Sequence, residues 1–173
     1  MALTLYAATV PSYRQILAAV AGLLTNAPAF CADRGLAHAE IIQARLASDM
    51  FPFSFQVRST VGHSIGAIEG LRRGTYSPDR SPLPETFAEL EKLIALADTG
   101  LAALDPGELD TLAEREVLFV SGERRLPFTG ENFLLSFSQP NFYFHAATAY
   151  DILRWKGVPI GKRDFTGQLR VKR

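Results

Sequence analysis

Apolar side chains recur at alternating intervals of four and three residues along several stretches of this chain, and this spacing limits the fold more than any other feature. Such intervals place apolar residues on one side of an α-helix, because a helical turn holds about 3.6 residues. In the first stretch the recurring residues are Tyr6, Val10, Tyr13, Leu17, Val20 and Leu24. Helices of this kind must bury their apolar sides against each other, so the chain is predicted to form a helical bundle.

Four long helices and one short helix are predicted from this spacing and from the glycine and proline residues that interrupt it. They cover residues 4–26, 37–47 (the short helix), 52–74, 84 to the turn at 105–107, and 129–156. Thr129 is predicted to cap the last helix at its N-terminus, and Gly157 to end it. Residues 76–84 contain three prolines and are predicted to form a loop.

The periodicity changes between the third and fourth long helices. Residues 116–120 and 124–128 flank Ser121–Gly122–Glu123, a pattern that predicts a small β-hairpin with a glycine in its turn. The predicted fold class is therefore mainly α: a four-helix up-down bundle with a small β-hairpin between helices three and four. A chain of 173 residues is expected to form this as a single domain over residues 1–173.

The composition limits which partners the chain is expected to bind and in which cellular compartment it is expected to fold. Lys plus Arg and Asp plus Glu number 18 each, so no net charge attracts nucleic acid or an acidic membrane surface. Cys31 is the one cysteine, which excludes a disulfide within the chain and favours a reducing compartment, the cytoplasm. Residues 16–24 are apolar enough to suggest a signal peptide, but the helical spacing begins earlier, at Tyr6. We therefore expect neither an export signal nor a membrane span.

A polar pair on the fourth helix is the strongest candidate for a site. Asn141 and His145 lie one helical turn apart, and the inward side of this helix is predicted to carry Phe133, Phe137, Asn141, Phe144, Thr148 and Ile152. Gln56 and His63 on the second helix are the candidates to face them. Three interpretations stay open: a hydrogen bond from His145 to Gln56 or to a tyrosine hydroxyl, a metal ion bound by these residues, or a small organic ligand.

Three glycines on the second helix bear on the same question. Gly62, Gly66 and Gly70 are four residues apart and so share one side of a regular helix. Missing side chains on that side predict either close packing against a neighbouring backbone or space for a ligand.

The chain also resembles a bacterial family of unknown function within the DinB/YfiT-like superfamily. The resemblance lies in PNFYFH at residues 140–145, AYDILR at 149–154 and GVPIGKRDF at 157–165. DMFP at residues 49–52 with Gln56, together with LY at residues 5–6 and VP at 10–11, fits the same family. These segments span nearly the whole chain.

The resemblance implies a four-helix bundle, often a homodimer, with a nickel or zinc ion held by one histidine of the second helix and an HxxxH pair of the fourth. Aligned on residues 152–157, His145 takes the position of the second histidine of that pair and Asn141 that of the first. Gln56 lies near the position of the helix-two histidine, and His63 lies two turns further along. Members of the superfamily include thiol-dependent transferases.

Three functional hypotheses follow, and the sequence does not decide whether the protein is an enzyme. In the first, the metal site is degenerate and Gln56, Asn141 and Tyr150 bind a small ligand. In the second, His145 and His63 hold a divalent Ni or Zn ion in a metal-dependent thiol transferase or hydrolase. In the third, the chain is a non-catalytic, homodimeric interaction domain. Residues 161–165 are expected to cover the pocket mouth or a partner subunit.

Overall fold

The computed structural model of the chain describes residues 3–172, and these residues are mainly helical with one small sheet. The elements in chain order are α1 (Leu5–Arg34), α2 (Ala39–Ile42), α3 (Phe53–Gly62), α4 (Ile65–Arg73), β1 (Thr75–Tyr76), α5 (Phe87–Ala102), α6 (Pro106–Thr111), β2 (Glu116–Ser121), β3 (Arg124–Thr129), α7 (Gly130–Asn132), a π-helical segment (Phe133–Ser138), α8 (Gln139–Trp155) and α9 (Lys162–Thr166). Helix α3 packs on α8, and α1 packs on α5. The prediction of a mainly helical bundle with a small β-hairpin is confirmed.

Helix α1 is longer than predicted and continues through Pro28. The predicted end at residue 26 was wrong because the apolar spacing continues to Ala27 and Cys31, which are both fully buried. Packing of that side outweighs the hydrogen bond that Pro28 cannot donate. The helix ends at Gly35, whose positive φ of 64° is readily adopted only by glycine.

The apolar character of α1 was also underestimated. By length and composition alone this helix is able to cross a membrane, with an 18-residue window of mean hydropathy 1.5. Its buried residues include Tyr13, Leu17 and Leu24, which belong to the main hydrophobic cluster. It therefore packs as a core helix of the bundle.

The predicted second helix is broken in two. Helix α3 ends at Gly62 and α4 begins at Ile65, so the continuous helix over residues 52–74 was wrong. At the break Ser64 leaves the helical conformation (φ −111°, ψ −98°), and its hydroxyl lies 3.0 Å from the carbonyl oxygens of Thr60 and Val61, which share its one proton. A serine side chain that bonds to nearby backbone competes with the helix ladder in this way.

The helix break separates the three glycines. A Cβ atom on Gly70 would lie 2.9 Å from Tyr76 Cβ, so close packing against β1 is confirmed at this position. On Gly66 it would meet Val61 O at an ordinary 3.6 Å. Gly62 lines the cavity described below, and a Cβ atom there would lie 3.4 Å from Tyr76 Oη.

Loops and caps differ from prediction between residues 37 and 113. Helix α5 begins at Phe87, because Thr86 and Glu89 form a capping box there, and Pro84 lies outside it. Residues 105–107 were predicted to end the third long helix. Instead, Asp105 caps the N-terminus of another short helix, α6. The short helix predicted over residues 37–47 is reduced to Ala39–Ile42.

The predicted hairpin is confirmed and gains a third strand. Strands β2 and β3 pair antiparallel, with Leu118 opposite Pro127, and β1 pairs parallel with β2 to give the order β1-β2-β3. Tyr76 was predicted to begin a loop, but it pairs with Phe119 in the sheet and is buried. The sheet thereby holds a tyrosine against the helices.

The fourth predicted helix starts and ends as expected but is not regular inside. Thr129 caps it by accepting a hydrogen bond from the Asn132 amide, and α8 ends before Gly157. The π-helical segment adds about one residue to a turn, which shifts the buried side of α8 by one position. Phe142 is therefore fully buried, whereas Phe144, which was predicted to face inward, is 56% exposed.

The C-terminal segment lies against α1 and not over the pocket. The amide of Gln15 donates to the Thr166 carbonyl (2.8 Å), and Phe165 of α9 packs on Tyr150 (ring centroids 5.7 Å apart). The expectation that residues 161–165 cover the pocket mouth was wrong, because contacts of α9 with α1 place them elsewhere.

We expect Gly70→Ala to lower the free energy of unfolding by about 1–3 kcal/mol, because its methyl group overlaps Tyr76 and the packed core cannot yield freely. Gly66→Ala is the matched control, and it should be neutral or stabilising by up to about 1 kcal/mol because alanine favours helix. Urea denaturation of both variants tests this. Equal stability of the two would contradict the close contact of α4 with β1.

Candidate functional site

A cavity of about 320 Å³ opens between α3, the sheet, the π-helical segment and α8. This volume is at the lower end of the range for small-molecule sites. The residues that line it are mostly aromatic or polar: Phe51, Phe55, Arg58, Ser59, Gly62, His63, Tyr76, Pro78, Asp79, Phe119, Phe137, Asn141 and His145.

Gln56 fixes the orientation of the His145 ring. The Gln56 amide Nε2 donates to the Phe51 carbonyl (3.0 Å), which leaves its Oε1 facing His145 Nδ1 at 2.7 Å. Since an amide oxygen only accepts, Nδ1 must carry the proton of this hydrogen bond. A neutral imidazole has one N–H, so the Nε2 atom of His145 has a free lone pair.

Ser138 fixes His63 in the same way. The Ser138 hydroxyl donates its one proton to the His63 carbonyl (3.1 Å), and its oxygen lies 3.3 Å from His63 Nδ1. With that proton already used, Nδ1 is the donor and Ser138 Oγ is the acceptor. The Nε2 atom of His63 is therefore also unprotonated.

The rings of both histidines line the cavity, and their Nε2 atoms are not engaged by the protein. Neither has a hydrogen-bond partner within residues 3–172, and the buried side-chain atom that lacks a partner in this part of the chain is Tyr13 Oη. Since neither Nε2 atom is among the buried unpaired atoms and both rings line the cavity, we infer that the cavity is the space that they face. The two rings are nearly parallel, at 13°, with centroids 5.6 Å apart.

Asn141 adds a third acceptor. Its Nδ2 donates to the Phe137 carbonyl at 2.7 Å, one turn earlier, so its Oδ1 is left for other partners. Phe137 lies in the π-helical segment, one residue before its end, and both Phe137 and Asn141 line the cavity. The polar pair Asn141 and His145 is thus half-buried, and both residues line one cavity.

The interior of the cavity is uncharged at neutral pH. Burial lowers the pKa of His63 to about 3, with a further contribution from nearby His145, and burial lowers the pKa of His145 to about 4. Burial also raises the pKa of Tyr76 to about 12. An apolar setting disfavours the charged form of each of these groups.

The charged side chains lie at the rim and are already engaged. Arg58 donates to the Ser81 carbonyl at 2.6 Å, and its guanidinium lies 5.3 Å from the centroid of Phe55. The pKa of Asp79 is lowered mainly by the hydrogen bond from the Ser81 amide, and also by the charge of Arg58. The rim therefore carries one charge of each sign.

Four of the five residues chosen from the sequence meet in this site. Gln56, His63, Asn141 and His145 lie at or beside the cavity, whereas Tyr150 packs on Phe165 and is not among the lining residues. Sequence reasoning missed Ser138 and Tyr76. Ser138 had no sequence signal, and the pattern of Thr75–Tyr76 is too short to predict a strand.

The donor set does not fit the nickel or zinc ion that the resemblance implies. Of the three corresponding positions, two carry neutral amides, and the Gln56 oxygen already accepts from His145. Sites for such ions are built from imidazole, thiolate and carboxylate groups. No three His, Cys, Asp or Glu side chains of residues 3–172 come close enough to hold one ion.

Comparison with known proteins agrees with the fold. The sequence profile of a family described as a domain of unknown function, DUF1993, matches residues 5–166. The crystal structure of a DinB family member protein from Shewanella denitrificans is similar, with a TM-score of 0.81 and 28% sequence identity. The match covers 98% of this chain and 95% of that one. No curated protein matches the chain.

The lowered histidine pKa values predict a pH dependence of stability. In the unfolded chain both histidines bind a proton near pH 6.5, but in the folded protein only near pH 3–4. Between these values the unfolded state binds more protons, so acidification from pH 7 to 4.5 should lower the free energy of unfolding. The upper limit is about 1.4 kcal/mol per pH unit for each histidine.

Urea denaturation at both pH values, on His63→Gln and His145→Gln, measures this effect. Each variant should lose less stability than the wild type on acidification, and His38→Gln, at an exposed histidine outside the cavity, should match the wild type. An equal loss in all four proteins would contradict neutral, buried imidazoles.

Proposed function

The chain belongs to the DUF1993 family of domains of unknown function, and from that premise we propose that it is a DinB-like protein with a degenerate metal site that binds a small molecule without a metal ion. The ligand occupies the cavity that His63 and His145 line. One observation carries the proposal: the 2.7 Å hydrogen bond between Gln56 and His145, which engages two of the three positions where the superfamily places metal ligands.

The surroundings of this hydrogen bond support ligand binding. Five of the thirteen lining residues are phenylalanine or tyrosine, and a few oriented polar groups lie among them, which is typical of small-molecule sites. Phe51 and Phe55 stack at 3.9 Å between centroids beside the His145 ring. A planar ligand would gain apolar contact on these rings and polar contact at the imidazoles.

Binding is supported better than acid–base catalysis. A general base works best when its pKa lies near the working pH. Burial lowers the pKa of His63 to about 3 and that of His145 to about 4. Their neutral forms are available at pH 7, but as weak bases. The imidazoles therefore serve as hydrogen-bond acceptors in this proposal.

A metal-dependent thiol transferase or hydrolase is the second candidate. The observation in its favour is that two unprotonated Nε2 atoms, of His63 and His145, face one cavity. Such an enzyme would need Asn141 or Gln56 as a further ligand, and the Gln56 oxygen would have to leave His145. The metal content of the purified protein separates the two candidates.

A homodimer in the cytoplasm, with the long helices in up-down order, completes the proposal. Phe144 and Trp155 of α8 are 56% and 63% exposed, and these two aromatic side chains are the residues that we propose for the subunit contact. If the chain were an interaction domain alone, substitutions inside the cavity would leave its binding properties unchanged.

Protein purified without a metal-affinity tag should contain far less than one transition-metal ion per chain, because the donor set lacks a third imidazole or an anionic group. Elemental analysis by mass spectrometry measures this, with His145→Ala as the comparison. Stoichiometric nickel or zinc in the wild type that is lost in His145→Ala would support the transferase candidate and refute the metal-free proposal.

Ser59→Phe should abolish binding of small aromatic probes, because Ser59 is half-buried and lines the cavity, and a phenyl group there fills part of it. Ser48→Phe, at an exposed position outside the cavity, is the matched control and should bind as the wild type does. Saturation-transfer NMR with a set of one-ring compounds detects both outcomes. Binding that Ser59→Phe does not reduce would place the ligand elsewhere.

A further inference from the structure

The cavity offers hydrogen-bond acceptors in fixed positions and no fixed donor in its interior. The Nε2 atoms of His63 and His145 and the Oδ1 atom of Asn141 can only accept, because their neighbouring atoms hold the protons. A ligand that brings no donor would leave these acceptors desolvated and unpaired, which weakens binding. Any ligand that fits well must therefore supply donors at its inner end.

Two further side chains favour a hydroxyl over an N–H group as the hydrogen-bond donor of the ligand. Tyr76 and Ser59 line the same space, and their hydroxyls have no protein partner among the residues that the structure describes. Each of them is able to donate a proton to a ligand oxygen. A ligand hydroxyl meets both demands, since it donates to an imidazole and accepts from Tyr76 or Ser59. An N–H group meets only the first demand.

The positions of the two imidazoles determine how many hydroxyls the ligand needs and what kind of scaffold carries them. A hydroxyl has one proton, so the two Nε2 atoms require two hydroxyls. The imidazole centroids are 5.6 Å apart, a spacing on the order of one substituted benzene ring, and the walls beside them are aromatic. A planar aromatic ring holds both hydroxyls rigidly and packs on these walls.

The interior of the cavity does not favour a charged ligand. The interior groups are neutral, and the two charged lining residues, Arg58 and Asp79, carry opposite charges at the rim. A carboxylate or ammonium group held beside the two imidazoles would lose its hydration without gaining an opposite charge in the interior. This argues against charged acids and amines as the natural ligand class.

We propose that the ligand is an uncharged aromatic diol of the diphenol class, whose two hydroxyls donate to His63 Nε2 and His145 Nε2. This inference rests on the proposed function and narrows it to one ligand chemistry. Asn141 Oδ1 accepts from a further donor where the ligand has one.

A series of three probes with the same ring tests the proposal on the wild-type protein. Resorcinol has two hydroxyl donors, 3-methoxyphenol has one, and 1,3-dimethoxybenzene has none. The dissociation constants, measured by NMR titration, should rise by about tenfold for each hydroxyl that is methylated. Equal or tighter binding of 1,3-dimethoxybenzene would overturn the inference while leaving a ligand-binding cavity in place.

The histidine variants give a second, independent readout. In His145→Phe and in His63→Phe, the preference for resorcinol over 1,3-dimethoxybenzene should fall by about tenfold, because one acceptor is gone. Ser48→Phe should keep the wild-type preference. If none of the three probes binds to the wild type, the diphenol class is refuted, whereas the metal content and the Ser59→Phe comparison decide the proposed function separately.

Discussion

The hydrogen bond between Gln56 and His145 is the interaction on which the chemistry of the cavity depends. It joins α3 to α8, a closely packed pair of helices, and it determines which ring nitrogen of His145 holds the proton. The Phe51 carbonyl orients the Gln56 amide in turn. A backbone group therefore determines which ring nitrogen of His145 is protonated. A buried network of this kind is rigid when all its members are paired. Here it leaves one free acceptor, directed into the cavity.

Irregular backbone brings the other polar groups to the same place. The break between α3 and α4 puts His63 at a helix end, where its carbonyl is free to accept from Ser138. The π-helical segment shifts α8 by one residue, so that Phe142 enters the core and Asn141 stays at the cavity. Strand β1 adds Tyr76 from a third direction. Such departures from regular helices are frequently found at functional sites.

Local sequence signals predicted much of this arrangement. The hairpin, the Thr129 cap and the stop at Gly157 follow from short-range preferences, and they were confirmed. A hydrogen bond from His145 to Gln56 was one of the alternatives, because the two residues face each other once the helices are paired. The resemblance to DinB-like proteins pointed to the same residues.

The errors arose where tertiary packing overrides local preference. Packing of Cys31 carries α1 past Pro28, and periodicity alone gives no warning of a π-helical turn, so Phe144 was placed inside. The break at Ser64 depends on side-chain to backbone hydrogen bonds that only the folded structure reveals. Tyr150 was chosen from the resemblance, and its ring packs on the C-terminal segment instead.

The tautomers of the two cavity histidines test the account most directly. A long-range ¹H–¹⁵N correlation spectrum of the wild type at pH 7, assigned through His63→Gln and His145→Gln, distinguishes protonated from bare ring nitrogens. The account predicts two neutral rings, each with a protonated Nδ1 and an unprotonated Nε2. A protonated Nε2 on His145, or a doubly protonated ring at pH 7, would contradict it.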